Sequence, residues 1–498
     1  MPAGGHARAY KDVHFGVRGL VSLVPNSFIE DRMLRGGNHL AKAGAIALLA
    51  CTSCALQAPK SPVPQVPTAF QNGTSAGPPA WPSQDWYHGF ASPELDALIT
   101  QATSANLDLA GARARLTQAD ARARQAGAAI LPSVDAIGNG NFLAGHSANG
   151  SAHELDWSAL LSASYEVDFW GRNRATANAA RLLDTAVRAD RDTLALTTLA
   201  GVADGYFELL SIRERMKLAQ SNLDTARGLL EVVQARFNAG ASDPVTLATQ
   251  RAVLAAAQLV LPDLRQREAE ALTALALLVG HAPEGFQVAD ASLDALAEPK
   301  VAPGLPVELL TRRPDVFSAE ANLRAADADL VAARAAMLPS LTLTAAGGIQ
   351  NPAVNAAVIS LAGTGPGLSL GAGLTQSIFD HGRLRAVRDE ARAKDDELLA
   401  SYRKAILAAL VDVENALAAI RNLDAAHEFQ NESVAQSQQA FDGAQLRYRQ
   451  GAGDFLGVLE AQRTLYAARD QFSQYKLARL QALVGLCKAL GGGWELQE

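Results

Sequence analysis

Strict apolar/polar alternation marks four short stretches of this chain, and helical spacing dominates the rest. Ala159, Leu161, Ala163, Tyr165, Val167 and Phe169 alternate with Leu160, Ser162, Ser164, Glu166 and Asp168, the period of a half-buried strand. A weaker strand follows Pro132, and a Gly/Asn/Ser/His segment, about 138–157, is expected to join the two as a long polar loop. Leu341, Leu343 and Ala345 alternate in the same way with Thr342 and Thr344. Leu368, Leu370, Ala372 and Leu374 alternate with Ser369, Gly371, Gly373 and Thr375, and residues 350–365 form the loop between. Four strands of about ten residues are expected, in hairpins at about 132–169 and 339–379.

Each hairpin leads into a long stretch without proline. These run from Gly171 to Gly240 and from Gly382 to Gly451, and they are equal in length. Helical throughout, each would reach about 100 Å, more than a globular domain needs. Asp243-Pro244 starts a return helix that ends near Gly280, with a kink expected at Pro262. Upstream, Ser92-Pro93 supplies an N-cap and a proline at the first helical position. The helix it starts, Glu94 to about Ala129, carries Leu95, Leu98, Ile99, Leu107 and Leu116 on one face.

These elements occur twice. Ala112-x-Ala114-x-Leu116-x-x-Ala119-Asp120-Ala121 matches Ala319-x-Ala321-x-Leu323-x-x-Ala326-Asp327-Ala328 at an offset of 207 (319 − 112), and Leu131-Pro132-Ser133 matches Leu338-Pro339-Ser340 at the same offset. Gly171-Arg172-x-Arg174-Ala175 matches Gly382-Arg383-x-Arg385-Ala386 at 211 (382 − 171), which the turns at Gly240 and Gly451 retain. Chance similarity between alanine-rich helices would not keep these landmarks in order, so the chain is a duplicated helix–β-hairpin–long helix–helix unit. The fold class is mainly α with a membrane β-barrel. Four alternating strands cannot close a barrel, and an open edge cannot sit in lipid, so closure needs several chains.

Composition and charge narrow the class. The 498 residues exceed one ordinary domain, and a net charge of −7 gives no sign of a nucleic-acid partner. Beyond the N-terminus no apolar run reaches 18 residues, so no spanning helix is expected. Met33-Leu34-Arg35, Lys42 and the apolar stretch Ala43 to Ala50 make a secretory signal, with Met33 a better start than Met1. Leu48-Leu49-Ala50-Cys51 resembles a bacterial lipobox, with Cys54 the alternative acylation site. The expected organisation is a signal peptide at 1–50, a lipidated Pro-rich tether at 51–91, a first copy at 92–283, a connector at 284–312, a second copy at 313–491 and a tail at 492–498. Gly367-Leu368-Ser369-Leu370-Gly371 fits the nucleophile-elbow pattern, but Ser369 sits in an alternating strand and not at a strand-to-helix turn. With no Cys/His cluster, no H-E-x-x-H and no Walker loop, no catalytic, metal or cofactor site is expected.

Short pieces from Cys51 to about Gly491 carry a resemblance. They include Ser92-Pro93-Glu94-Leu95-Asp96-x-Leu98-Ile99, Asp168-Phe169-Trp170-Gly171-Arg172, Arg312-Arg313-Pro314-Asp315-Val316, Ile378-Phe379-Asp380-x-Gly382-Arg383, and Arg447-Tyr448-x-x-Gly451 with Val458-Leu459-Glu460-Ala461-Gln462-Arg463. In order, they resemble the TolC-like outer-membrane efflux factor family, in the lipoprotein branch that serves tripartite drug pumps. The resemblance implies a homotrimer whose strands form one twelve-stranded outer-membrane barrel and whose helices form an α-barrel tunnel through the periplasm. It implies passive export, with energy from an inner-membrane RND-type transporter joined through a periplasmic adaptor. His381 departs from the glycine that the family often has, and Ala239-Gly240-Ala241 carries smaller side chains than many members. A trimeric coiled-coil adhesin or structural stalk is the competing class, but it lacks a two-copy duplication with strands inside each copy.

The resemblance also places function at the helical tips. Arg236, Gly240 and Ala241, with Arg447, Gly451 and Ala452, are the expected adaptor-docking residues. Asp454 is the expected N-cap of the last long helix, and Leu456 and Glu460 share one stripe of its first turns. Around a three-fold axis they would form a periplasmic gate, a leucine ring beside a ring of carboxylates. Counting back from Gln462 and Gln250, Glu460 corresponds to Ala248, so the first tip cannot offer the same pair.

Acylation is expected on Cys51 in preference to Cys54, which matches the family's spacing to the proline-rich stretch but has Cys51 where the signal wants an aliphatic residue. Mass spectrometry of the mature N-terminal peptide should find diacylglyceryl-Cys51; an unacylated N-terminus would end the lipoprotein reading.

Overall fold

A computed structural model describes residues 66–73, 80–147, 150–350 and 367–495. The signal segment and both candidate lipidation sites, Cys51 and Cys54, lie outside the described residues, as do the loop residues 148–149 and 351–366. Seven helices carry the fold: α1 (Pro93–Ala105), α2 (Leu107–Ala128), α3 (Arg172–Asn238), α4 (Pro244–Leu278), α5 (Pro314–Ala335), α6 (Arg383–Arg449) and α7 (Phe455–Ala489). The strands are β1 (Ser133–Ser147), β2 (Gly150–Val167), β3 (Ser340–Gln350) and β4 (Gly367–Thr375). The long helices α3 and α6 each have 67 residues, about 100 Å. Their returns, α4 and α7, each have 35.

Two expectations about the elements are corrected. The single helix from Glu94 to Ala129 is two helices. Asn106 breaks it with an extended backbone (φ −61, ψ 128), caps α2 by accepting the Leu109 N–H at 2.9 Å, and donates Nδ2 to the Leu278 carbonyl at 2.8 Å. The break turns Leu107 to solvent. The long polar loop at 138–157 is largely strand: β1 pairs with β2 from Ser133↔Ser164 to Ser147↔Gly150. The return helix α4 continues through Pro262, which has no N–H to offer the Gln258 carbonyl. Among the described residues α4 is also the one helix long and apolar enough to cross a membrane. Its Ala257, Leu261 and Leu264 pack instead with Ala219, Leu223 and Ala226 of α3.

The four strands form one open antiparallel sheet in the order β1-β2-β3-β4. Register sorts its faces. Val134, Ala163, Ala345 and Leu370 lie side by side across all four strands, and the neighbouring row is Ser133, Ser164, Thr344 and Gly371. One face is thus apolar and the other mostly polar and small, with Ile137 and Leu160 paired on it as an apolar exception. Ser369 stands inside β4, far from any strand-to-helix turn.

Tight junctions join sheet to helices. Asp168 accepts the N–H groups of Asn173 and Arg174 at 3.1 and 2.8 Å, and Asp380 accepts those of Gly382 and Leu384 at 3.0 and 2.9 Å. Partial burial works against ionisation of Asp168, but the Arg174 and Asn173 N–H groups and the Arg174 guanidinium hold its pKa below the ordinary value. His381 has φ +55, a backbone that glycine adopts more easily. Trp170 Nε1 donates to the Pro339 carbonyl at 2.8 Å and so ties the first junction to the second hairpin.

The main core lies where the two copies meet the connector. Trp86, Phe90, Leu95 and Ile99 pack with Tyr206, Phe207, Leu275 and the free, buried thiol of Cys487. Parts of the stretch read as a tether belong to this fold. Phe70 packs against the cluster of Leu309, Val413 and Leu486, the Asn72 N–H donates to Glu414 at 3.0 Å, and Ala80 bridges to Ala302. The connector is strapped to α3 by Lys217–Asp290 (2.7 Å) and to α7 by Lys476–Asp294 (2.7 Å) and Arg479–Glu298 (2.6 Å).

The copies differ at one inter-helix contact. In the first, Asp120 on α2 pairs with Arg124 at 3.1 Å, and Asp184 on α3 with Arg188 at 3.0 Å. Their counterparts are Asp327 on α5 and Asp395 on α6, with Val331 and Leu399 where the arginines would be. These two carboxyls hydrogen-bond to each other, and each keeps one buried oxygen without a partner. Burial, then the charge and hydrogen bond of Asp395, pushes Asp327 from 3.8 up to about 6. The raised value means that the protonated Asp327 carboxyl stabilises the fold fully below pH 4, and that this contribution is lost as pH rises through 6. After allowance for solvent screening this is worth about 1 kcal/mol, or about 2 °C. Between pH 4 and 7 the unfolding midpoint should therefore fall more for the native chain than for Asp327→Asn. Parallel pH profiles would overturn the assignment.

Candidate functional site

The ends of the helical hairpins are built by matched backbone chemistry. At the first, Gly240 (φ +71) donates to the Phe237 carbonyl at 3.0 Å and Ala241 to that of Arg236 at 2.8 Å. At the second, Gly451 (φ +78) donates to Tyr448 at 3.1 Å and Ala452 to Arg447 at 2.9 Å. Both are Schellman closures, in which a left-handed glycine satisfies the last helical carbonyls and reverses the chain. Asp243 caps α4 by accepting the Val245 and Thr246 N–H groups at 2.8 and 2.9 Å. The Thr246 hydroxyl and N–H hold its pKa below the ordinary carboxylate value.

Asp454 caps α7 as expected, accepting the Gly457 N–H at 2.8 Å. Phe455, Val458 and Leu459 then point into the tip core with Leu229, Val233, Phe441 and Tyr448. Leu456 is 70% exposed, and Glu460 is exposed on the same outward stripe. Counted from the first residues of Pro244–Leu278 and Phe455–Ala489, Leu456 pairs with Val245 and Glu460 with Thr249; counted from the buried Gln250 and Gln462, Glu460 pairs with Ala248. The first tip still offers no acid.

The expected docking residues fall into two groups. Gly240, Ala241, Arg447, Gly451 and Ala452 are exposed. Arg236 is half-buried: its Nη2 donates to the Tyr448 carbonyl at 2.8 Å, and its guanidinium lies 4.3 Å from the centre of the Tyr448 ring. It clamps one tip to the other. Sequence reasoning missed this contact because its partners lie 212 residues apart. Two buried amides were also missed. Gln250 donates Nε2 to the Ala226 carbonyl at 2.7 Å, and Gln462 donates to Asn222 Oδ1 at 2.9 Å. Among the described residues no group of three or more His, Cys, Asp or Glu side chains could hold a metal.

Comparison with known proteins bears on this geometry. The outer membrane efflux protein family model matches residues 98–281 and 305–492. The chain is 44% identical to the pyoverdine export outer membrane protein OpmQ of Pseudomonas aeruginosa, over 83% of this chain and 88% of that protein. It is 42% identical to OpmQ of Pseudomonas putida, over 91% and 96%. Among solved structures it is similar to the outer-membrane channel OprN, with a TM-score of 0.81 at 28% identity, covering 89% of this chain and 100% of that one.

The clamp gives a local prediction. Arg236→Ala removes a charge-assisted hydrogen bond and a cation–π contact, at a cost of about 1–2 kcal/mol. Amide hydrogen exchange should quicken at residues 236–243 and 447–454 together. Faster exchange at the first tip alone would show that Arg236 does not join them.

Proposed function

The chain belongs to the outer membrane efflux protein family and is the outer-membrane channel of an efflux pump; we propose that three copies close one barrel and continue it inward as a helical duct. The open sheet carries this reading. β1 and β4 each have an unpaired edge, and lipid does not tolerate unpaired backbone groups. Two copies would give about eight strands, a barrel whose interior side chains fill. Three give about twelve and leave a lumen, and the small residues Ser162, Ser164, Thr342, Thr344, Gly371 and Gly373 of the polar face suit an open passage.

The finer parts of the proposal follow from the tips. The duct is anchored by lipid at Cys51 and delivers cargo passed on by an inner-membrane RND-type transporter. A periplasmic adaptor docks on the exposed residues Gly240, Ala241, Arg447, Gly451 and Ala452. Leu456 and Glu460 form the gate, three leucines excluding water beside three mutually repelling carboxylates. Exposure of both side chains within the chain supports this, since neither is engaged in the helix pair. For cargo, the two OpmQ relatives named for pyoverdine export support pyoverdine or a compound like it.

In planar bilayers the purified chain should give small, discrete conductance steps. Leu456→Ala with Glu460→Ala should raise the conductance several-fold and admit large antibiotics. A folded trimer without conductance would end the duct reading. Unchanged conductance in the double variant would end only the gate assignment.

A further inference from the structure

The helices next to the sheet stand in a row. α2 packs on α3, α3 on α5, and α5 on the first half of α6. One flank of α2 and one of α6 therefore stay open, just as the outer edges of β1 and β4 do. The open elements are continuous, since α2 leads into β1 and β4 leads into α6. A chain that pairs its β4 with β1 of the next must lay its α6 along that neighbour's α2. Such a contact is head-to-tail, and repeated it closes a ring.

The fold contains a template for this contact. By the duplication, α2 and α6 are the counterparts of α5 and α3, at offsets of 207 (314 − 107) and 211 (383 − 172). Within one chain α5 and α3 run antiparallel, where the Ser318 hydroxyl donates to Asp190 and Val167 of β2 faces Leu341 of β3. Carried over by those offsets, Ser318 and Asp190 become Gly111 and Ser401, while Leu341 and Val167 become Val134 and Ile378. Val134 and Ile378 are both apolar and exposed, so the apolar face runs on from one chain into the next. A slip of one residue would turn one of them over.

Charge follows the same register. Asp108, Arg115 and Arg122 recur every seven residues on α2, and Glu390, Glu397 and Lys404 do so on α6, so each set forms one stripe. All six are exposed. With Gly111 opposite Ser401 and the helices antiparallel, Arg122 meets Glu390, Arg115 meets Glu397 and Asp108 meets Lys404. Glu397 holds Lys394 of its own helix at 3.0 Å, and the other five have no ion-pair partner among the described residues. Neighbouring registers are penalised. Sliding α6 by seven residues one way sets Arg122 on Arg383 and Asp108 on Glu397; sliding it the other way sets Arg115 on Lys404. In the favoured register Leu107, 76% exposed, also comes within a turn of Leu407, 62% exposed.

We propose that chains join head to tail along this seam, α2 of one antiparallel to α6 of the next, with Arg115 and Arg122 of the first on Glu397 and Glu390 of the second and Asp108 on Lys404. The seam rests on the three-copy duct and gives it a register. Strand edges supply the attachment, and exposed ion pairs, weak singly, select one alignment.

The test uses the full-length chain in detergent, oxidised after cysteines are placed at the facing pair. A Cβ at Gly111 meets nothing within 4 Å, so the position accepts a side chain. Gly111→Cys with Ser401→Cys in one chain should give disulfide-linked dimers and trimers on a non-reducing gel, and neither single variant should. A link within one chain is out of reach, because α2 and α6 lie at opposite ends of the row. Gly111→Cys with Ala408→Cys, seven residues along, should give no such ladder; an equal or stronger one there would overturn the register. Independently, Arg122→Glu should lower the temperature at which the assembly dissociates, and adding Glu390→Arg should restore it. Failure to restore would overturn the charge pairing. Native mass spectrometry keeps the seam and the duct apart. An intact three-copy assembly without the link through Ser401→Cys would sink the seam alone, whereas a chain that stays single would sink the three-copy closure itself.

Discussion

An unpaired strand edge cannot remain in hydrocarbon, and the rest of this structure answers to that constraint. Each chain brings only four strands, with β1 and β4 open at the two sides. Whatever closes the sheet must be another copy, so the helices below it must also associate side by side. The exposed apolar residues of α6, Leu407, Val411 and Phe429, fit a helix that is incomplete in a lone chain. Barrel closure and helix packing are then one event, because Asp168 and Asp380 fix each long helix to its hairpin within a few residues.

Duplication supplies the geometry that closure needs. The four glycines that end the long and return helices, Gly240, Gly280, Gly451 and Gly491, have left-handed backbones at matching positions. At Gly280 and Gly491 a Cβ would strike the carbonyls of Ala105 and Arg312, so there the residue is fixed by close approach as well as by φ. The copies diverge where symmetry is not needed. The arginines that neutralise Asp120 and Asp184 have no counterpart beside Asp327 and Asp395, which leaves the second copy with a proton-dependent contact that the first lacks.

Much of this was legible in the sequence, for physical reasons. Proline-free runs bounded by glycine and an Asp N-cap announce helix ends through local rules, and those rules held at both tips. Alternation found β2, β3 and β4 because one sheet face is apolar and the other small and polar. Legibility failed where distant contacts decided. Asn106 stops α1 because its amide is held by Leu278, and Arg236 is a clamp because Tyr448 lies beneath it. Gln250 and Gln462 are both buried, yet one donates to the Ala226 carbonyl and the other to Asn222, contacts that local spacing does not announce.

The first hairpin shows the limit of propensity most clearly. Gly138, Asn139, Gly140 and Asn141 favour turns, yet each is paired in the ladder with β2. A membrane strand needs about 9–11 residues. β3 and β4, with 11 and 9, meet that length, whereas β1 and β2, with 15 and 18, exceed it. The surplus stays paired because β1 and β2 are joined by a short connection and each satisfies the other's backbone beyond the membrane band. Gly138, Asn139, Gly140 and Asn141 are the sixth to ninth residues of β1, opposite Ala159 to Asp156, and there the ladder itself satisfies their backbone groups and holds turn formers in strand.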